Sequence, residues 1–370
     1  MTAHIPPRQD PLRLRSARAR AVLVPLAYPL GTSAAIVRAA PLVLLDVETD
    51  QGLTGRAYVF GYTAAGARAV ADTIHEAFGL VAGQTCDPPA LAGLLARRYA
   101  LLGVTGVVRM ALSALDIAFW DALAIAAGRP LAEVLGCLRR DVPAYDSRGL
   151  GLKPPDALAA EAQSLAQAGL GAVKLRLGHD TLSQDLAALN AVRRVLPDET
   201  ALMVDYNQAL LPAEALSRGL ALQSEGVVWL EEPIRHDDYR ACARIAARLD
   251  LPVQIGENFN GPAALREALA QEACDLVMPD VARIGGVTGW MQAAGLAATS
   301  GVPVSSHLMP EISLHLLAAT PTGQWLEWVD WAQDLLEEPM RLHQGRAVLP
   351  DRPGLGLVWD EARIARLQAL

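Results

Sequence analysis

The chain is predicted to be an α/β protein: an N-terminal α+β capping domain over residues 1–140, then an eight-stranded (β/α)7β barrel over 141–337. Residues 338–370 form a C-terminal segment expected to return to the cap. Three observations lead there. The 370 residues exceed one average domain. Strand-like runs precede helical ones up to about residue 127, whereas from residue 142 short apolar runs alternate with Ala- and Leu-rich stretches. Finally, Asp205, Glu231 and Glu257 close successive apolar runs at intervals of 26 residues. A strand of about five residues, a loop and a helix of ten to fifteen fill that period.

In the first part, residues 14–25 and 41–49 are rich in Val and Leu and read as strands, the second entering an Asp50-Gln51-Gly52 hairpin turn. A third strand covers 55–60, and helices follow over 64–78, 88–100 and 106–127. The last is apolar nearly all round and is therefore expected to be buried. Eight strands then cover 142–145, 172–177, 202–206, 227–230, 253–257, 276–279, 302–306 and 324–328. Helices such as 156–168, 182–196 and 261–270 fit in all seven gaps, which is the TIM-like pattern lacking its last helix. An open doubly wound sheet would need a glycine-rich phosphate loop after its first strand, and Asp146-Ser147-Arg148-Gly149 is not one. The tail carries two strand-like pieces, 340–342 and 347–349.

Composition narrows the function. With 52% hydrophobic and 19% charged residues the chain suits a compact globular protein, and a net charge of −8 argues against a nucleic-acid partner. The most apolar long segment, 110–127, contains Asp116 and Asp121 and reads as a buried helix, so no membrane partner is expected. Cys86, Cys137, Cys242 and Cys274 are scattered without zinc spacing and read as reduced, buried residues of a cytoplasmic protein. Five arginines against Asp10 in the first twenty residues are a weak transit-peptide signal, and a basic end leading into the first strand is the plainer reading.

Barrel sites gather at the C-terminal ends of the strands. Strand two ends in Lys174-Leu175-Arg176, where alternation points both cations into the barrel. Strands three to five deliver Asp205, Glu231 and Glu257, strand six Asp280, strand seven His307 and strand eight Glu327. A lone strand-end carboxylate is ordinarily a cap or a surface charge. Three together would repel one another unless a cation joined them, and an all-oxygen set suits Mg2+. Alternation aims Glu232 away from Glu231, behind the ligands or into solvent. A carboxylate on one ring nitrogen makes the other a better base, so Asp280 turns His307 into a candidate general base. His315 and the remaining histidines, His4 included, read as structural.

These residues carry a resemblance. The runs 204–208 (Val-Asp-Tyr-Asn-Gln), 229–233 (Trp-Leu-Glu-Glu-Pro), 256–258 (Gly-Glu-Asn), 278–280 (Met-Pro-Asp), 284–290, 305–308 (Ser-Ser-His-Leu) and 325–327 (Trp-Leu-Glu) resemble, in order and spacing, motifs of the enolase superfamily's mandelate racemase group. The resemblance runs from about Arg15 to the C-terminus. It implies Mg2+ on Asp205, Glu231 and Glu257, and His307, paired with Asp280, as the base that removes the proton α to a small-molecule carboxylate. It makes Lys174 the holder of that carboxylate and Glu327 the donor to its other oxygen as an enediolate forms. It also puts Asn207 and Ser147 on the substrate's polar groups and implies a homo-oligomer.

One position departs from the group: Arg176 stands where a second lysine base is found. Deprotonating a guanidinium at neutral pH costs about 7 kcal/mol, so proton transfer on both faces is in doubt. Two reactions fit. Leu30, Ala34, Ile36 and Val37, with Phe60, Tyr62 and Leu308, offer apolar walls, which favours a racemase-like isomerase of a 2-hydroxy acid. A sugar-acid dehydratase needs only His307 and tolerates Arg176, but finds few polar partners in the cap loop beyond Thr32 and Ser33. A metal-containing binding protein without turnover would have no use for a base and an acid.

Overall fold

The structure, a computed structural model, describes residues 11–370 apart from 34 and 168. The basic first ten residues, with His4, and the wall residue Ala34 therefore lie outside the described residues. Long strands β1 (Leu14–Gly31) and β2 (Ile36–Thr49) pair antiparallel, and β3 (Thr54–Phe60) follows through the turn at Asp50-Gln51-Gly52. Both arms of the first hairpin outrun the lengths expected from sequence, because pairing resumes at Leu30–Val37 after an irregularity between Pro25 and Leu30. Helices α1 (Ala64–Gly79), α2 (Pro88–Arg98), α3 (Gly106–Ala126) and α4 (Leu131–Val134) complete this part. Thr63 and Asp87 cap the first two, each accepting from a backbone N–H three residues on.

As expected, α3 is buried almost throughout, packed on β3 and α1. Its two acids hold the two parts of the molecule together. Asp116 accepts from the Thr288 N–H and hydroxyl, and Asp121 from the N–H groups of Arg56 and Leu355. Burial pushes both carboxyls up to about 7.

The second part alternates β4 (Asp141–Asp146), α5 (Pro155–Ala166), β5 (Ala172–Arg176), α6 (Leu182–Arg193), β6 (Ala201–Asp205), α7 (Pro212–Leu222), β7 (Val227–Glu231), α8 (Tyr239–Ala246), β8 (Val253–Ile255), α9 (Pro262–Ala270) and β9 (Leu276–Val277). After α10 (Val281–Ile284), α11 (Gly286–Thr299) and α12 (Pro310–Ala319) comes β10 (Leu326–Trp328), which pairs with β4 in parallel. The seventh expected strand, 302–306, is reduced to isolated bridges, Val304 to Val277 and to Gly323. Its backbone still hydrogen-bonds on both sides, Ser305 N–H to the Val277 carbonyl and Ser306 N–H to that of Trp325.

Tail strands β11 (Arg341–His343) and β12 (Arg346–Val348) form a hairpin on β4 instead of reaching the cap. Further on the segment does meet the cap: Trp359 Nε1 donates to Asp46, Arg20 pairs with Glu361 in α13 (Glu361–Ile364), and the short β13 (Gln368–Ala369) pairs with β1. A Cβ on Gly151 would lie 2.4 Å from the backbone of Gly31, so the cap hairpin rests directly on the loop after β4. Among the described residues no helix is long and apolar enough to cross a membrane.

Candidate active site

Alternation along the barrel strands builds the site in two layers. Tyr145, Ala172, Met203, Trp229 and Leu276 form an apolar floor. Two residues further along their strands stand Lys174, Asp205 and Glu231, each at most 1% exposed. Asp205 and Glu231 are direct register partners. Glu257 is not: Glu231 pairs with Gln254, so the equal sequence spacing conceals a three-residue offset. β8 ends at Ile255, and Gly256, at φ +138°, turns the chain so that Glu257 still meets the other two.

The three acids can each present an oxygen such that all lie within 4.8 Å of one another. Burial pushes the Glu231 carboxyl up to about 8, against the pull of Lys174 and with repulsion from Asp205, Glu327 and Glu257 adding to it. One lysine thus leaves this cluster short of positive charge. An oxygen-preferring divalent cation supplies what is missing, so the donor set fits Mg2+.

Lys174 Nζ lies 2.7 Å from Glu231 Oε1, 2.8 Å from Glu327 Oε1 and 3.5 Å from Asp205 Oδ2. Burial alone would lower its pKa, but Glu231 and Glu327 outweigh that and hold it protonated. Glu327 accepts from Lys174, from Ser147 Oγ at 2.6 Å and from the Leu308 N–H at 2.7 Å. Burial would raise its carboxyl, yet Lys174, His307 and Arg176 hold it well below the usual range. In this arrangement Glu327 is an acceptor, not the donor that the resemblance implies.

His307 Nδ1 lies 2.7 Å from Asp280 Oδ2, and its Nε2 is 3.3 Å from Glu257 Oε2. Asp280 is held in turn by α10, whose Ala282 and Arg283 N–H groups donate to its Oδ1. Burial opposes a charge on His307, but Glu257, Glu327 and the Asp280 hydrogen bond prevail and raise it to about 9. Arg176 is placed very differently. Its Nη1 donates to the carbonyls of Ser147 and Gly149, at 2.9 and 3.0 Å, and its Nη2 to Ser147 Oγ at 2.7 Å.

Asn207 braces Asp205 through its backbone N–H and Nδ2, and its buried Oδ1 has no partner. Ser33 Oγ of the cap hairpin donates to the Asn207 carbonyl at 2.7 Å. Among the wall residues, Leu30 and Leu308 are buried, Val37 is half-buried opposite Leu30, and Ile36 is 65% exposed. Phe60 stacks against Tyr62 and Trp331, with centroids 4.4 and 4.9 Å apart. Trp331 was missed by the sequence reading, which had no signal for it beyond its place four residues after Glu327. Glu232 is not solvated: it is buried, at φ +35°, and Asn258 Nδ2 donates to both its oxygens. Arg283, bonded to Asn258, was also overlooked.

This geometry sets three carboxylates that fit a divalent cation beside a carboxylate-paired histidine at the ends of the barrel strands. Residues 157–363 match the family described as enolase C-terminal domain-like, and residues 14–136 the mandelate racemase / muconate lactonizing enzyme N-terminal domain. The chain belongs to that family of the enolase superfamily and is an enzyme. It is 32% identical to the L-talarate/galactarate dehydratase of Salmonella typhimurium, over 91% of this chain and 87% of that one. An enolase from the alphaproteobacterium BAL199, solved with bound Mg, shares 41% identity at a TM-score of 0.94, covering 97% of this chain and 100% of that one. A Bradyrhizobium enolase complexed with magnesium and mandelic acid shares 38% at 0.92, covering 98% and 100%.

Proposed function

We propose that the protein is a Mg2+-dependent hydro-lyase that removes water from a sugar acid, with His307 as its one base. The observation that carries this reading is the difference between the two candidate bases. An imidazole held by a carboxylate can take and return a proton, whereas the Arg176 guanidinium keeps its charge and is tied to main-chain carbonyls. Asp205, Glu231 and Glu257 would hold the cation, which when bound supplies the positive charge that makes an α-proton next to a carboxylate removable.

With Glu257, whose charge does most to raise His307, offset by the cation, Nε2 is able to take that α-proton while Asp280 stabilises the imidazolium through Nδ1. The C–H electron pair moves toward the carboxylate, the bond to the β-hydroxyl breaks, and His307 returns its proton to the departing oxygen. Water and an enol result, and the enol rearranges to a 2-keto acid. Lys174 binds the substrate carboxylate, while Ser147 and the unpartnered Asn207 Oδ1 meet hydroxyl groups. The four free cysteines support a reducing, cytoplasmic setting.

The relative that is a talarate/galactarate dehydratase supports this reading. A racemase-like isomerisation of an aryl 2-hydroxy acid is favoured by the Phe60, Tyr62 and Trp331 rings and by the Bradyrhizobium enolase complexed with mandelic acid. It requires a second base, which Arg176 does not provide. Incubation with Mg2+ and a panel of sugar acids and aryl 2-hydroxy acids decides between them. Formation of 2-keto acid from a sugar acid is expected, and inversion of an aryl 2-hydroxy acid without keto acid would overturn the proposal.

A further inference from the structure

Next in the chain to the ligand Glu231 stands a further carboxyl group, Glu232, which is buried and is not among the three candidate ligands. A hydrogen-bonded chain runs outward from it. Asn258 Nδ2 donates to Glu232 Oε1 and Oε2, both at 2.9 Å, and lies 3.4 Å from Glu257 Oε1. Asn258 Oδ1 accepts from Arg283 Nη1. The Arg283 guanidinium carbon sits 4.4 Å from the centroid of the Tyr62 ring, so the cap covers the outer end of the chain.

An amide can turn over end for end, and only one orientation puts its NH2 on two carboxylates. Arg283, which can only donate, fixes that orientation by claiming the oxygen. It also brings a positive charge beside the acidic cluster that Lys174 contacts at Asp205 and Glu231. We infer that Arg283 is a positioning residue for the metal site: acting through Asn258, it fixes the amide that bridges Glu232 and Glu257 and so holds Glu257 where it can bind the cation. Without it the Asn258 amide is free to present its oxygen to Glu232. The NH2 bridge between Glu232 and Glu257 is then lost, and the ligand geometry loosens.

The inference rests on the Mg2+ site proposed above, and titration of the purified protein with Mg2+ alone separates the two. Calorimetry or Trp229 fluorescence reads the binding, since Trp229 Nε1 lies 3.0 Å from Glu231 Oε2. Arg283→Met and Asn258→Leu are each expected to weaken Mg2+ binding by about tenfold or more. The double variant should be no weaker than either single one, because both break the same chain. Arg283→Lys, which keeps the charge without the planar fork, should fall in between. A folded Arg283→Met that binds Mg2+ like the parent, or single losses that add in the double variant, would overturn the inference. Glu257→Gln is the control: loss of binding there upholds the site even if the Arg283 inference fails, and unchanged binding would bring down the site itself.

Discussion

Two sides of one cleft, His307 and Arg176, are both buried and both hydrogen-bonded, yet they are prepared for different work. His307 bonds to a carboxylate that α10 holds in place, so its proton can come and go. Arg176 turns Nη1 and Nη2 to two main-chain carbonyls and a serine hydroxyl, which hold it in place, and its guanidinium keeps its charge. Burial alone does not make a base. The partner decides whether a buried group titrates or braces.

The harshest challenge to this contrast is His307→Asn, which should lower turnover by about 10^2 to 10^4 fold with the fold unchanged, as read by circular dichroism. Second comes His315, an imidazole with no carboxylate partner. Ala132 N–H donates to its Nδ1, and burial lowers its pKa to about 4. It is neutral in the fold and binds a proton more readily once unfolded. Its contribution to stability is therefore present above about pH 6.5 and lost as pH falls toward 4, by up to about 3 kcal/mol. Asp116, Asp121 and Glu311, pushed up to about 7 by burial, titrate in the opposite sense. The stability difference between the parent and His315→Met, followed by denaturation from pH 7 to 4, isolates the histidine.

Asp280→Asn is expected to cost about 10 to 100 fold in turnover, because the ring loses the group that orients it and supports its charge. Smallest is Arg176→Met, for which about a tenfold loss is expected, with the pH–rate profile keeping its shape. A change in that profile would mean that Arg176 does exchange a proton.

Much of the site could be read from the sequence because each strand end carries its chemistry in a short apolar run, as Asp205 and Glu231 do. The seventh strand, read over 302–306, is shorter in the fold, where Val304 alone of that run makes bridges, to Val277 and to Gly323. The offset of Glu257 was hidden by equal spacing: one residue interval covers different strand lengths, and only the turn at Gly256 reconciles them. Arg283 was missed because its partner, Asn258, comes from a different strand–helix unit, and nothing in either local sequence announces the contact. Alternation aims Glu232 away from Glu231, and of its two outcomes the fold takes the place behind the ligands, where Asn258 joins Glu232 to Glu257.

The central claim is that protons move on one side of this cleft only. It is tested by running the reaction with Mg2+ in D2O to partial conversion and determining the α-carbon configuration and deuterium content of the recovered substrate. The account predicts 2-keto acid as product and recovered substrate of unchanged configuration, with any deuterium uptake abolished in His307→Asn. Recovered substrate that has inverted and carries deuterium would contradict it.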